Sequence, residues 1–305
     1  MNDGLRKNVR QRSHFMVKAP RFKIKRDLII GPETSQALEE CISLFMHHET
    51  IYTDWGFAEV DPLGRAATVN FHGPPGTGKT MAAEALAGSL NMTFLALNIA
   101  DLESSLKGEM AKNIQAAFEL AYEEGALLFF DEADALLGRR IAVSQGIDND
   151  INATRNTFMT ELNKHQGLVV FATNFSRDYD DAILSRITHQ VYFALPDIKE
   201  RRGLWSKMLV SGIPLAGDRN EIIEDAVRAS QGLSGRDILH SMRRALPSVL
   251  MEAQSGVTDF RLESRHVVGA IEAIRRRYRK QEQAAKPEDT DPDNAGSLKR
   301  NLNMQ

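Results

Sequence analysis

The residues with the plainest chemical potential lie in two short stretches, GPPGTGKT at 73–80 and LLFFDEAD at 127–134. Glycines in the first let the backbone wrap so that successive N–H groups point into one concavity, a nest that suits phosphate oxygens. Pro75, Gly76, Thr77, Gly78 and Met81 surround Lys79, whose ammonium reaches toward a β- or γ-phosphate, and the Thr80 hydroxyl is a ligand for Mg2+. In the second, an apolar run ends in Asp131 and Glu132. A carboxylate emerging from a buried strand can hold the same Mg2+ shell, and the glutamate after it can polarise an attacking water. Ala133 and Asp134 read as incidental. The chemistry these types and spacings suit is hydrolysis of ATP with Mg2+.

A third stretch, LVVFATN, places Asn174 after another apolar run. A neutral amide beside the two other strand ends can orient a water against the γ-phosphate without perturbing the carboxylate.

These positions need a scaffold that brings strand ends together. Short β-rich runs alternate with helical periods: ATVNF (67–71), FLALN (94–98), ALLFF (126–130), LVVFA (168–172) and QVYFA (190–194), with helices at 80–90, 112–123 and 153–163 between them. The strands are almost wholly apolar, as a parallel sheet covered on both faces requires. After Pro196 only helical periods occur. The predicted fold is therefore α/β, a P-loop parallel sheet with helices on both faces, followed by a small all-helical lid. The expected divisions are a basic arm at 1–27, the large domain at 28–196, the lid at 197–280 and a polar tail at 281–305 that reads as disordered.

Composition sets the remaining bounds. Of 305 residues, 42% are apolar and 26% charged, the balance of an ordinary globular chain. No apolar run approaches the roughly 20 residues that span a bilayer. The lone Cys41 sits in an apolar-periodic segment and reads as a buried inert thiol, which with the absence of a membrane segment suggests a reducing, cytoplasmic setting. Net charge is −3, yet residues 1–26 set nine Lys and Arg against Asp3 alone. Such an arm is either a solvated terminus or a surface for nucleic acid or for an acidic protein face.

Together the motifs resemble those of the AAA+ ATPases over residues 28–275. The resemblance implies that Ile30 and Gly31 pack near adenine, and that Gly235 and Arg236 of GLSGRDI lie against the nucleotide from the lid. It casts Arg186, in DDAILSRITHQ, as an arginine finger that completes the site of a neighbouring copy, so that the working form is a homo-oligomer, usually a hexamer. Leu106 and Lys107 fall in the segment that grips a protein substrate in the pore of such rings, although the usual aromatic is replaced by Leu106. Within the family, DINATRNTFMTELNK and GLSGRDILHSMRRALP resemble the pachytene-checkpoint type, which remodels HORMA-domain proteins; bacterial forms of it are tied to anti-phage signalling. The alternative is a DNA-associated ATPase, a loader or transposition helper, using the basic arm. The DEAD string does not make a helicase, because the residues after 200 offer no second RecA-like domain.

Overall fold

A computed structural model describes residues 15–61, 67–98, 102, 109–137, 146–174, 179–253 and 260–285. Leu106, Lys107 and the first fourteen residues lie outside the described set. The chain divides into two compact units: residues 1–204 with 232–236, and residues 205–231 with 237–305.

The first unit is built on five parallel strands: β1 (Ala67–His72), β2 (Thr93–Asn98), β3 (Ala126–Asp131), β4 (Leu168–Thr173) and β5 (His189–Tyr192), in the order β2-β3-β4-β1-β5. Successive residues point to opposite faces, and each face has its own core. Leu95, Leu128, Phe130, Val169 and Phe171 join one cluster; Val69, Phe71, Leu127, Phe129, Val170 and Val191 join the other. This is why the strands read as continuous apolar runs.

Helices α1 (Ile24–Asp27), α2 (Pro32–Met46) and α3 (Lys79–Ser89) precede β2. Helices α4 (Glu109–Glu123), α5 (Asp134–Leu137), α6 (Gly146–Lys164) and α7 (Asp181–Leu184) follow, and α8 (Ile198–Met208) comes after β5. Leu38 and Cys41 of α2 and Ala82, Ala83 and Leu86 of α3 fill one core; Ile114, Phe118, Phe158 and Leu162 of α4 and α6 fill the other. Cys41 is buried, and burial followed by the nearby Glu40 pushes its thiol up to about 12, the inert state its setting implies.

From Phe15 onward the basic arm is a folded strap rather than a solvated segment. Lys18 pairs with Phe94 on edge strand β2, each N–H donating to the other's carbonyl at 2.9 and 2.8 Å. Arg21 donates from its backbone N and Nε to Glu84 Oε1 and from Nη2 to Oε2, all at 2.9 Å. Ile24 N donates to Ser89 Oγ at 3.0 Å. Phe15 and Val17 pack on one core and Phe22 and Ile24 on the other, so the strap straddles the sheet edge. Gly88 permits this approach, because a Cβ there would lie 2.1 Å from the Phe22 carbonyl oxygen.

The second unit is helical: α9 (Arg219–Ala229), α10 (Gly235–Ala253, whose first turn belongs to the first unit) and α11 (Ser264–Ala285). Asp218 caps α9, its carboxylate accepting from Asn220 N and Glu221 N. Trp205 is fully buried and donates from Nε1 to Ser230 Oγ at 2.9 Å. Tyr278 of α11 donates to Asp237 Oδ1 of α10 at 2.7 Å.

Two stability tests follow from this packing. Gly88→Ala displaces the strap from α3 and is expected to cost about 1–3 kcal/mol in denaturant unfolding; an unchanged midpoint would mean that the strap contributes nothing. His165 is buried with its ring edge-on to Phe118, and burial lowers its pKa from 6.5 to about 4. Between those values the unfolded chain takes up a proton that the folded chain refuses, so stability is lost as pH falls through that window. His165→Leu is expected to flatten the acid limb of the stability curve by about 2–3 kcal/mol at pH 4 relative to pH 7.

Candidate active site

The phosphate loop joins β1 to α3 through backbone that most side chains resist. Gly73, Gly76 and Gly78 have φ of 141°, 79° and 102°. At Gly73 a Cβ would lie 2.2 Å from the Phe193 carbonyl oxygen, and at Gly76 one would lie 2.7 Å from Ser234 Oγ. Gly73 and Gly76 are thus fixed by close approach as well as by conformation, and Gly78 by conformation alone. Thr77 Oγ1 donates to Pro74 O at 2.9 Å and tightens the turn. Pro75 is exposed and Met81 half-buried.

Lys79 opens α3 and is buried. Its Nζ donates to the carbonyls of Gly73 at 2.7 Å and Pro74 at 3.0 Å, and to Asn174 Oδ1 at 3.0 Å. The end of β4 is thereby tied to the loop after β1, the two strands being direct neighbours. Burial holds the ammonium below its ordinary pKa; Asp131 and Asp134 oppose that shift, and Arg236 adds to it. The Thr80 hydroxyl donates to Asp131 Oδ2 at 2.8 Å. A hydroxyl and a carboxylate oxygen so placed, beside a half-buried strand end, form the hard oxygen pair that Mg2+ prefers.

Glu132 follows with φ of 53°, a left-handed conformation that only one other described non-glycine residue, Asn91, shares. Its backbone N donates to Asp131 Oδ1 at 3.0 Å, and its side chain is exposed. Ala133 and Asp134 are not incidental. Ala133 N donates to Ala172 O at 2.9 Å, fixing the turn after β3 to β4, and Asn174 N approaches Asp134 Oδ2 at 3.5 Å.

Arg236 N donates to Gly76 O at 3.1 Å, and Gly235 lies 3.6 Å (measured from an ideal Cβ) from that same oxygen. Ser234, whose hydroxyl neighbours Gly76, had no sequence signal beyond lying in GLSGR. Ile30 packs on the core that holds α2 and α3. A Cβ on Gly31 would sit 3.1 Å from Glu200 Oε1. Glu200 itself closes a reciprocal cap with Asp197 at the start of α8, Asp197 N donating to Oε2 and Glu200 N to Asp197 Oδ1. His72 precedes the loop, tilted against Tyr192; burial, then Lys79, lowers its pKa.

Arg186 stands apart. Its Nε donates to Asn163 Oδ1 at 2.7 Å, and its Nη1 to the Ala182 carbonyl and to Ser185 Oγ at 3.3 Å. Among the described residues none of these partners belongs to the loop around Lys79.

A glycine loop, a helix-opening lysine and strand-end carboxylates converging at the carboxyl edge of a parallel sheet define a P-loop nucleotide-binding protein. Residues 69–195 match the model of the ATPase family associated with various cellular activities (AAA). Spastin of Ixodes scapularis is 36% identical over 222 residues, which cover 69% of this chain and 32% of that protein. A 26S proteasome regulatory subunit homolog of Methanothermobacter marburgensis is 31% identical over 254 residues, covering 81% and 63%. The chain thus spans less than two thirds of these relatives. The FIGL-1 AAA domain, whose crystal structure is a complex with ADP, shares the fold with a TM-score of 0.69 at 23% identity, over 87% of this chain and 89% of that one. The chain belongs to the AAA family of ATPases. No helix among the described residues is long and apolar enough to cross a membrane.

The strained conformation at Glu132 carries its own test. A left-handed non-glycine residue costs about 1–2 kcal/mol, so Glu132→Gly is expected to be that much more stable than Glu132→Ala while both lose ATP hydrolysis. Equal stabilities would mean that the residue is unstrained.

Proposed function

We propose that this chain hydrolyses ATP in a site completed by a second copy, and that the ring so formed remodels a protein partner. The observation that carries the proposal is the division of the site: within one chain Lys79 bonds to Asn174 and the adjacent Thr80 to Asp131, while Arg186 is held elsewhere by Asn163.

The backbone of Gly76–Lys79 and the start of α3 would cradle the phosphates, drawing on the positive end of the helix. Lys79, held by two carbonyls and an amide, exchanges those partners for β- and γ-phosphate oxygens. Thr80 and Asp131 would hold Mg2+, which neutralises charge on the phosphates. Glu132 takes the proton of the attacking water and Asn174 orients that water. Ile30 and Gly31 would flank the base; Gly235 and Arg236, which belong to the same unit as the loop, would approach the phosphates, Arg236 N already bonded to the loop. Arg186 of the neighbouring copy would supply positive charge as the γ-phosphate departs, which implies a closed, head-to-tail ring, here proposed to be a hexamer.

That the partner is a protein is supported by the relatives, one of which is by name a homolog of a proteasome regulatory subunit. A HORMA-domain partner in bacterial signalling rests on DINATRNTFMTELNK and GLSGRDILHSMRRALP alone. The nucleic-acid alternative depends on a free basic arm, and Arg21 of that arm is committed to Glu84.

Complementation tests the shared site. Lys79→Ala is expected to abolish ATP binding, and Arg186→Ala to retain binding but lose at least about 100-fold in turnover. Mixing the two inactive variants restores part of the activity, because the Lys79→Ala subunit donates its arginine to the intact loop of the other. An Arg186→Ala protein with wild-type turnover, or a mixture that stays inactive, would falsify the shared site.

A further inference from the structure

Two consecutive residues, Tyr179 and Asp180, connect the groups assigned to the chain's own site with the one assigned to its neighbour's. The Tyr179 hydroxyl lies 2.6 Å from Thr173 Oγ1, and both residues are buried, at 6% and 1% exposure. Thr173 is the last residue of β4, immediately before Asn174. Asp180 N donates to Leu137 O at 2.9 Å, the end of the short helix that starts two residues after Glu132. Asp180 also caps α7, its Oδ1 accepting from Ala182 N at 2.9 Å. Arg186 lies two residues past the end of that helix, its backbone N donating to Ile183 O at 2.9 Å.

The far end of this segment is fixed as well. Thr188 donates from N and Oγ1 to Thr68 O at 2.8 and 2.7 Å, at the start of β1. The Arg186 turn is therefore suspended between the sheet at Thr68 and the site at Thr173 and Leu137. The tyrosine ring itself lies in the apolar cluster with Leu137, Ile183 and Leu184. A phenylalanine would fill that space equally well, so packing does not require the hydroxyl. What the hydroxyl adds is a directional link between the strand end that bears Asn174 and the turn that bears Arg186.

We propose that Tyr179 is a positioning residue that couples the engagement of Asn174 in one subunit to the presentation of Arg186 to the next; this rests on the shared-site reading above. When Lys79 leaves Asn174 for a phosphate, the end of β4 is free to resettle. Thr173 carries that adjustment through the hydroxyl pair to Tyr179, and Asp180 carries it on to the cap of α7 and so to Arg186.

The test uses the full chain and reads turnover, the Hill coefficient for ATP, ATP affinity and thermal midpoint. Tyr179→Phe is expected to keep ATP affinity and midpoint close to wild type while turnover falls about five- to tenfold, the loss of one buried hydrogen bond felt at the transition state. Its Hill coefficient drops to about 1 from a wild-type value above 1. Thr173→Val reproduces these changes, Thr173→Ser restores them, and the double variant Tyr179→Phe/Thr173→Val is no worse than either single one. Wild-type turnover and cooperativity in Tyr179→Phe would overturn the coupling, as would a wild-type Hill coefficient of 1, a turnover loss that merely tracks a lowered midpoint, or additive losses in the double variant. An active Arg186→Ala protein signals instead that the shared-site reading has failed, and that outcome is separate from every result on Tyr179.

Discussion

A buried ammonium group is the constraint from which the rest of the first unit follows. Lys79 is desolvated, and a buried charge is tolerated only with partners. The carbonyls of Gly73 and Pro74 supply two, which forces the loop to curl back over the start of α3. That curl needs left-handed backbone, hence Gly76 and Gly78, and it brings Gly73 against Phe193, where no side chain fits. The third partner, Asn174, requires β4 to lie beside β1, which the strand order β2-β3-β4-β1-β5 provides. Charge, glycine placement and sheet topology are here one requirement seen at three scales.

The same lysine sits where a polyphosphate would compete for it. Carbonyl oxygens are adequate partners for an ammonium, and phosphate oxygens are stronger ones because they are charged. Asp131 and Asp134 oppose the burial that lowers the pKa of Lys79. A group held by neutral acceptors near carboxylates can thus exchange them at low cost, which suits a repeated cycle of binding and release.

The parts of this arrangement legible in the sequence were those governed by local rules. Strands β1, β3 and β4 are covered on both faces, so continuous apolar runs mark them, the edge strands β2 and β5 keep part of that pattern, and the loop signature lies between a strand and a helix. Boundaries slipped where the local pattern ran thin. Helix α6 begins at Gly146 rather than near 153, since GIDNDIN carries almost no apolar period. Strand β5 stops at Tyr192 rather than 194, because β1, with which it pairs, ends at His72. Long-range pairings left no trace. Nothing in a run of basic residues identifies Glu84, 63 positions away, as the partner of Arg21. Asp134 read as incidental and proved to lie beside Asn174, 40 residues on. Tyr179 carries no motif, and its hydroxyl acquires meaning only once β4 and α7 are folded together.

The strap gives the sheet two unlike flanks. On one side the N–H and C=O of Phe94 are already used by Lys18, and the chain continues across both cores. On the other, β5 is four residues long and bears exposed Gln190 and Tyr192. A sheet with both flanks bare invites like to pair with like, strand against strand, and such pairing propagates without end. With β2 occupied at Phe94, strand pairing between copies cannot propagate through that flank, and a molecule arriving there meets the side chains of the strap instead of free backbone.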